Sequence, residues 1–463
     1  MSTDPRPGTG TPRPNEPVTP LRLGEVVSTW LPLAASWLVM GLEAPVVSAV
    51  MARLADPEVH LAAYGGVVLP LALIIEAPVI MLLAASVALA RDAASSALIY
   101  RFMMITGAAL TALHALLAFT PLFDVVVLPL LGPPAGVAEP ARLGLKIMLP
   151  WTWAIGYRRY HQGLLIRFGR SHHVSVGTVL RLLAVSAAAA AVGFGAGATG
   201  IVAATVAIAV GVTVEALYSA WAARPITRVT LPRAAALATP LTLRSFLAFY
   251  LPLVLTSLLS LLVQPVGSAA IARMPGALAS LAVWPVVNGL LFMLRSVGFA
   301  LNEVVVALLD RPAAYATLRR FTALLAAALL VVTAGVAFTP LAPFWFGSLS
   351  GLGPDLTALA VVGFGWALVW PALDAARNLV QGVAVHARRT RAIGASMVVF
   401  LVVSTALLAA GVASQRFTAL PAAMVAFVVA TLVQVGWLAW QVRGEHREEA
   451  APQAAPPSVL EEG

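Results

Sequence analysis

Ten ionisable side chains stand inside long apolar stretches of this sequence: Glu43, Glu76, Arg158, Arg159, Arg181, Glu215, Arg295, Glu303, Asp374 and Arg377. In the middle of a membrane helix each would cost about 2.5–3.5 kcal/mol to insert, so each needs a partner, a cavity or a role. Arg159, Arg181, Glu215 and Glu303 lie closest to the ends of their stretches, where snorkelling would relieve them. Spacing sorts the rest. Trp151, Arg158 and Gln162 fall seven and four apart and share one helix face. Trp370, Asp374, Arg377 and Gln381 repeat that face later in the chain, and Asn288, Arg295 and Asn302 form a stripe at every seventh residue. Such stripes avoid lipid and line a cavity or another polar face. Guanidinium groups pair with carboxylate or phosphate through planar donors. The predicted substrate-binding set is therefore Arg158, Gln162, Asn288, Arg295, Asp374, Arg377 and Gln381, for an anionic or amphipathic solute.

Glu43 and Glu76 each stand just before Ala-Pro, where proline frees backbone carbonyls and bends a helix. Two carboxyls beside two bends predict an ion-coupling site for H⁺, or for Na⁺ through oxygen ligands. The matching place in the second half reads Val263-Gln264-Pro265 and has no acid, which suits a single coupling site. Nothing here resembles an enzyme. The only lysine, Lys146, follows Leu-Gly-Leu rather than a phosphate loop, and neither H-E-x-x-H nor G-x-S-x-G occurs. Cysteine is absent, which excludes thiolate metal sites and cysteine nucleophiles. His172-His173 sit in a basic loop and read as solvated. The expectation is a non-enzyme with no cofactor and no metal.

The elements that must hold these residues follow from composition. Of 463 residues, 60% are hydrophobic and only 11% charged, against about 25% charged in soluble proteins. Mean hydropathy is +0.91. The chain therefore reads as an all-α polytopic membrane protein of 12 transmembrane helices, with Pro121–Leu131 and Leu341–Leu352 too short to span and placed as outer loops or re-entrant caps. The +9 net charge could suggest nucleic acid. Its distribution says otherwise. Fourteen arginines (91, 101, 167, 170, 224, 228, 233, 244, 311, 319, 320, 388, 389 and 391) fall in one set of loops, against Arg53, Arg142, Lys146, Arg273 and Arg416 in the alternating set. The richer set is expected on the cytoplasmic side, which puts both termini in the cytoplasm and the protein in the inner (plasma) membrane. No nucleic-acid partner is expected; the bilayer and a small or lipid-linked substrate are, with the chain acting as a monomer.

The sequence also repeats itself. At an offset of 220, Pro45 through Leu54 overlies Pro265 through Met274, with Arg53 on Arg273. At an offset of 219, Trp151, Arg158, Gln162 and Gly163 overlie Trp370, Arg377, Gln381 and Gly382. Six spans per repeat make the halves parallel, related by an axis along the membrane normal. The expected organisation is a disordered tail over 1–24, an N-lobe over 25–222, a linker over 223–243, a C-lobe over 244–442 and a disordered tail over 443–463.

The segments Glu43-Ala44-Pro45, Ala63-Tyr64-Gly65 and Arg158 to Gly163 with Leu164-Leu165-Ile166-Arg167 resemble the multidrug/oligosaccharidyl-lipid/polysaccharide (MOP) exporter superfamily, and within it the ankylosis-protein-like branch. The loop Arg91-Asp92-Ala93-Ala94-Ser95-Ser96 lacks the Gly/Asp/Arg signature of the major facilitator class. The resemblance implies MATE-like lobes and cation-coupled export by alternating access, of phosphate-containing or carboxylate anions in the ankylosis-like branch. It also leaves a flippase for a lipid-linked headgroup or polysaccharide precursor as the alternative. By the same analogy Glu43 takes the place of a first-helix acid.

Overall fold

Residues 20–443 are described in this computed structural model, and helices are the only regular structure among them. Lipid allows little else, because every backbone N–H and C=O must be satisfied within its own segment. The N-lobe holds α1 (Leu23–Met51), α2 (Pro57–Leu89), α3 (Ala93–Phe119), α4 (Leu149–Arg167, preceded by Ala138–Ile147), α5 (His172–Gly195) and α6 (Gly200–Arg233). The C-lobe holds α7 (Leu243–Ile271), α8 (Ala277–Leu308), α9 (Ala314–Ala337), α10 (Pro354–Trp366 with Trp370–His386, bent by 40°), α11 (Arg391–Ser414) and α12 (Ala419–Val442). Ten of these are long and apolar enough to cross a membrane by length and composition, or eleven with the bent pair counted as one span. The remaining rod, α4, is diluted by Arg158, Tyr160, His161 and Gln162, and all four of those side chains are buried.

Some boundaries move. Leu21 is buried and its N–H donates to the Pro312 carbonyl, and α1 begins at Leu23, inside the span expected as tail. α6 runs on to Arg233, so the first part of the expected linker is helical. Residues 1–19 and 444–463, which hold most of both expected tails, lie outside the described residues. The two pieces expected not to span form short helical turns, Phe123–Val127 with Leu128–Leu131 and Leu341–Pro343 with Phe344–Leu349, at the end of the helices opposite Leu23 and Val442.

The duplication is written into the contacts. α1 breaks at Leu42 and α7 at Leu262, in each case three residues before a proline whose missing N–H and ring interrupt the ladder. Before its break, each helix leans on the opposite lobe. Trp30 Nε1 donates to the Val297 carbonyl of α8 at 3.0 Å, and Tyr250 Oη donates to the Pro78 carbonyl of α2 at 2.6 Å. The two donors are 220 residues apart, whereas their acceptors are 219 apart. The missing residue is visible. α2 carries a wide turn over Tyr64–Val68, whereas α8 is helical without interruption from Ala277 to Leu308. A turn of this kind absorbs one inserted residue. It is what changes the repeat offset.

The glycine shared by both motifs allows a close helix crossing. A Cβ on Gly163 would lie 2.7 Å from the Leu83 carbonyl oxygen and 2.5 Å from Ser86 Cβ. A Cβ on Gly382 would lie 3.1 Å from the Asn302 carbonyl oxygen and 2.7 Å from Val305 Cβ. These crossings bring α4 against α2 and α10 against α8, and so fix where Arg158 and Arg377 point.

Candidate functional site

The C-lobe contains a cavity of about 430 Å³ that gathers five of the seven predicted substrate-binding residues: Asn288, Arg295, Asp374, Arg377 and Gln381. Asp374, 1% exposed, is part of its lining. Its Oδ2 accepts from Arg295 Nε, and its Oδ1 lies 3.0 Å from Arg377 Nε. α10 supplies Asp374 and Arg377 one turn apart, and α8 supplies Arg295. Two guanidinium groups thus share one carboxylate, leaving a formal excess of one positive charge. The Arg295 guanidinium carbon also sits 4.1 Å from the centroid of Trp370, a cation–π contact that keeps it over the cavity wall. Beyond it the wall is aromatic: Trp370, Phe400 and Trp284 pack around Phe427 with centroids 5.6–6.2 Å away. The Trp370 Nε1 and Asn288 Nδ2 donors are buried without a partner among the described residues. The arrangement can therefore receive an anion with an apolar body.

The other two predicted residues are elsewhere. Arg158 and Gln162 do not line the C-lobe cavity; they belong to an N-lobe network with Glu215. Arg158 Nη1 donates to Glu215 Oε2 at 2.5 Å and Gln162 Nε2 to Glu215 Oε1 at 2.9 Å. Arg181 Nη2 then donates to Glu43 Oε1 at 2.6 Å, and Arg181 Nη1 lies 3.6 Å from Glu215. The space between Glu43, Arg158, Arg181 and Glu215 is about 10 Å³, too little for a solute.

This corrects the view of Arg181 and Glu215 as snorkelling residues near span ends. Because α6 continues to Arg233, Glu215 lies in its interior and is 1% exposed. The signal that could have found them is their equal and opposite charge, on adjacent helices, close to an arginine already singled out. Glu303 is exposed on α8, as a residue near a span end can be.

No hydrogen bond joins Glu43 and Glu76 among the described residues. Glu43 opens the second segment of α1, where the helix N-terminus favours its charge, and is held by Arg181. Glu76 is 5% exposed on α2 and makes no ion pair or hydrogen bond among the described residues. No cluster of three or more His, Asp or Glu that could hold a metal occurs among the described residues.

No family model matches this chain, and no curated protein does. Solved structures do match. An inward-facing multidrug resistance MATE family transporter of the MOP superfamily is 15% identical over 92% of this chain and 100% of its own, with a TM-score of 0.68. The lipid II flippase MurJ, in an inward closed conformation, is 12% identical over 89% and 87%, at 0.64. A MOP superfamily transporter from Pyrococcus furiosus, described by a reversed polarity of its binding pocket, is 15% identical over 92% and 96%, at 0.58. The chain has the fold of these proteins: twelve helices in two parallel six-helix repeats.

Proposed function

We propose that this protein is a secondary active transporter that exports a small anionic or amphipathic solute by alternating access between its two lobes, and that the C-lobe cavity binds that solute. One observation carries the reading: Arg295 and Arg377 share a single carboxylate in the lining of an aromatic-walled cavity, beside unpartnered donors on Trp370 and Asn288. A site with surplus positive charge and orphan donors is built for an anion. The structural neighbours are transporters and a flippase rather than enzymes, which supports transport without chemistry. Within the superfamily we place the chain in the ankylosis-protein-like branch, on its sequence motifs alone.

Coupling falls to the N-lobe. Glu76 is the buried carboxyl without a bonded cation, and Glu43 is tied to Arg181, so an entering H⁺ or Na⁺ would be received at Glu76 and felt through the arginines around it. The arginine distribution supports cytoplasmic termini in the inner membrane, and the single-chain neighbours support a monomer. Lobes over 25–222 and 244–442 are the units that would rock. Proteoliposome efflux under an imposed pH or Na⁺ gradient tests this. Arg377→Ala should slow solute movement at subsaturating solute, and Glu43→Gln and Glu76→Gln should uncouple it from the gradient. Transport at wild-type rate in all three would sink the assignment.

A flippase for a lipid-linked headgroup is the second reading. The likeness to the lipid II flippase MurJ and the aromatic wall beside the charged centre favour it. Headgroup translocation without export of soluble anions, in the same vesicles, would establish it instead.

A further inference from the structure

Arg53 and Arg273 occupy equivalent places in the two repeats, and each reaches into the opposite lobe. Arg53, just past the end of α1, donates from Nη1 to the Ala49 carbonyl of its own helix at 2.7 Å, which fixes its direction. Its Nη2 donates to the Ser348 and Leu349 carbonyls, both at 2.8 Å, between α9 and α10 of the C-lobe. Arg273, just past the end of α7, does the same in reverse. Its Nη1 donates to Ala269 at 2.6 Å, and its Nη2 to the Pro129 and Leu130 carbonyls at 2.7 and 3.0 Å, between α3 and α4 of the N-lobe.

The acceptors share a design. They are among the last carbonyls of the short helical turns, which have no partner within their own helix. Each turn ends nearby in a glycine with positive φ, Gly132 at 61° and Gly351 at 80°. A Cβ on Gly351 would lie 2.8 Å from Arg53 Nη1, and one on Gly132 would lie 3.1 Å from Arg273 Cζ. So the glycine supplies both the left-handed turn and the room for a guanidinium against the backbone. All of these bonds lie at the end of the helices opposite Leu23 and Val442. Both arginines are otherwise exposed, so water can replace the carbonyls when the lobes part. A fixed rivet would be buried. This is a releasable contact.

We propose that Arg53 and Arg273 form a two-fold latch that holds the lobes together at the end opposite Leu23 and Val442, and that opening there requires both to let go. Because the two contacts are related by the repeat, releasing one leaves the other bridging the same pair of lobes. A single substitution then shifts the balance little, and the double substitution shifts it much.

The chain has no cysteine, so a pair of labels can be placed without removing any. Ala55→Cys and Asp355→Cys are exposed at this end, one in each lobe. Spin labels at these sites report the separation of the lobes by electron–electron distance measurement in nanodiscs. The expected result is one short distance in the otherwise unaltered protein, a minor longer component in Arg53→Ala or Arg273→Ala, and a majority longer component in Arg53→Ala/Arg273→Ala. Gly351→Ala with Gly132→Ala should reproduce the double release with both arginines still present, and decides the matter if the arginine variant fails to fold. An unchanged distance distribution in a monodisperse double variant overturns the latch. So does a single variant that opens as fully as the double. The measurement needs no substrate, so its failure and that of the transport reading are separate events.

Discussion

Arg158 donates to Glu215 at 2.5 Å, whereas its counterpart Arg377 shares a cavity with Gln434, the residue that stands 219 positions after Glu215. That exchange of a carboxylate for an amide is one of the differences between the filled lobe and the open one. The same offset takes Glu76 to Arg295 and Arg181 to Phe400. The contacts support the pairing on α2 and α8, since Pro78 and Val297 accept from equivalent aromatic donors. So two copies of one helical frame hold opposite electrostatics: three acids balanced by arginines in the N-lobe, and an arginine pair around one acid in the C-lobe. A filled, charge-balanced lobe suits small-ion coupling, and an open, positive one suits the solute.

Because Arg158 and Glu215 are both buried, removing Glu215 leaves Arg158 without its carboxylate, and removing Arg158 leaves Glu215 only Gln162 and the longer Arg181 contact at 3.6 Å. Arg158→Leu or Glu215→Leu alone should destabilise the protein by about 3 kcal/mol or more, whereas Arg158→Leu/Glu215→Leu together should cost clearly less than the sum. Thermal unfolding of the three variants in one detergent measures this. Additive losses would mean that the pair is not coupled.

The shared glycine carries a separate expectation. Gly163→Ala places a methyl group 2.5 Å from Ser86 Cβ and Gly382→Ala places one 2.7 Å from Val305 Cβ on the facing helix, a closeness that real Cβ atoms do not tolerate. Each should cost about 1–3 kcal/mol by forcing α4 from α2 or α10 from α8. Gly353→Ala and Gly436→Ala meet nothing within 4 Å and serve as controls. Equal melting temperatures for Gly163→Ala and Gly436→Ala would show that the crossings are looser than they look.

Asp92 caps α3 from outside the spans. Its Oδ1 accepts from Ser95 N–H at 2.8 Å and from the Ser95 hydroxyl at 2.5 Å, and its Oδ2 from Leu237 N–H at 3.0 Å, tying the linker to the N-lobe. The Ser95 side chain, then the Leu237 and Ser95 amides, hold its carboxyl below the usual aspartate range. With the folded pKa depressed, the contribution of the ionised carboxylate is complete above the unfolded value, about 3.9, and fades as pH falls through the folded one. Asp92→Asn keeps an acceptor for Ser95 but turns the Leu237 contact into one between two donors. Its melting temperature should fall below that of the unaltered protein at pH 6, and the gap should narrow below about pH 4. A constant gap from pH 6 to pH 3 would show that the charge of Asp92 is irrelevant.

Much of this was legible in the sequence, and for physical reasons. Apolar length exposed the spans, and the Trp-x6-Arg-x3-Gln-Gly spacing exposed the repeat because a tight helix crossing needs that glycine. The polar stripes on α8 and α10 led to the C-lobe cavity because a helix face in lipid cannot hide Asn288, Arg295, Asp374 and Arg377 otherwise. What stayed hidden depends on partners. Nothing in the spacing of Arg158 and Gln162 says that Glu215 occupies the place an anion would take. Nor does the spacing say why the repeat has two offsets, 220 and 219; the turn at Tyr64–Val68 joins them.

If the C-lobe cavity binds an anion, Asp374 is its competitor, since the carboxylate already sits between the two guanidinium groups a solute would use. Asp374→Asn keeps the shape, removes the negative charge and leaves Arg295 and Arg377 both unneutralised. Affinity for aromatic carboxylates should then rise by about tenfold or more, equivalent to about 1.4 kcal/mol, while Arg377→Ala should lower it by a similar factor. Calorimetric titration of detergent-purified protein with a series of aromatic carboxylates and phosphate esters reads both directions. Tighter binding need not mean faster export, because release slows as affinity rises; the Asn variant should saturate at lower solute concentration and turn over more slowly. A cavity that instead recognises cations through Asp374 would lose affinity in Asp374→Asn and keep it in Arg377→Ala. That opposite pattern is the one result the anionic assignment does not survive.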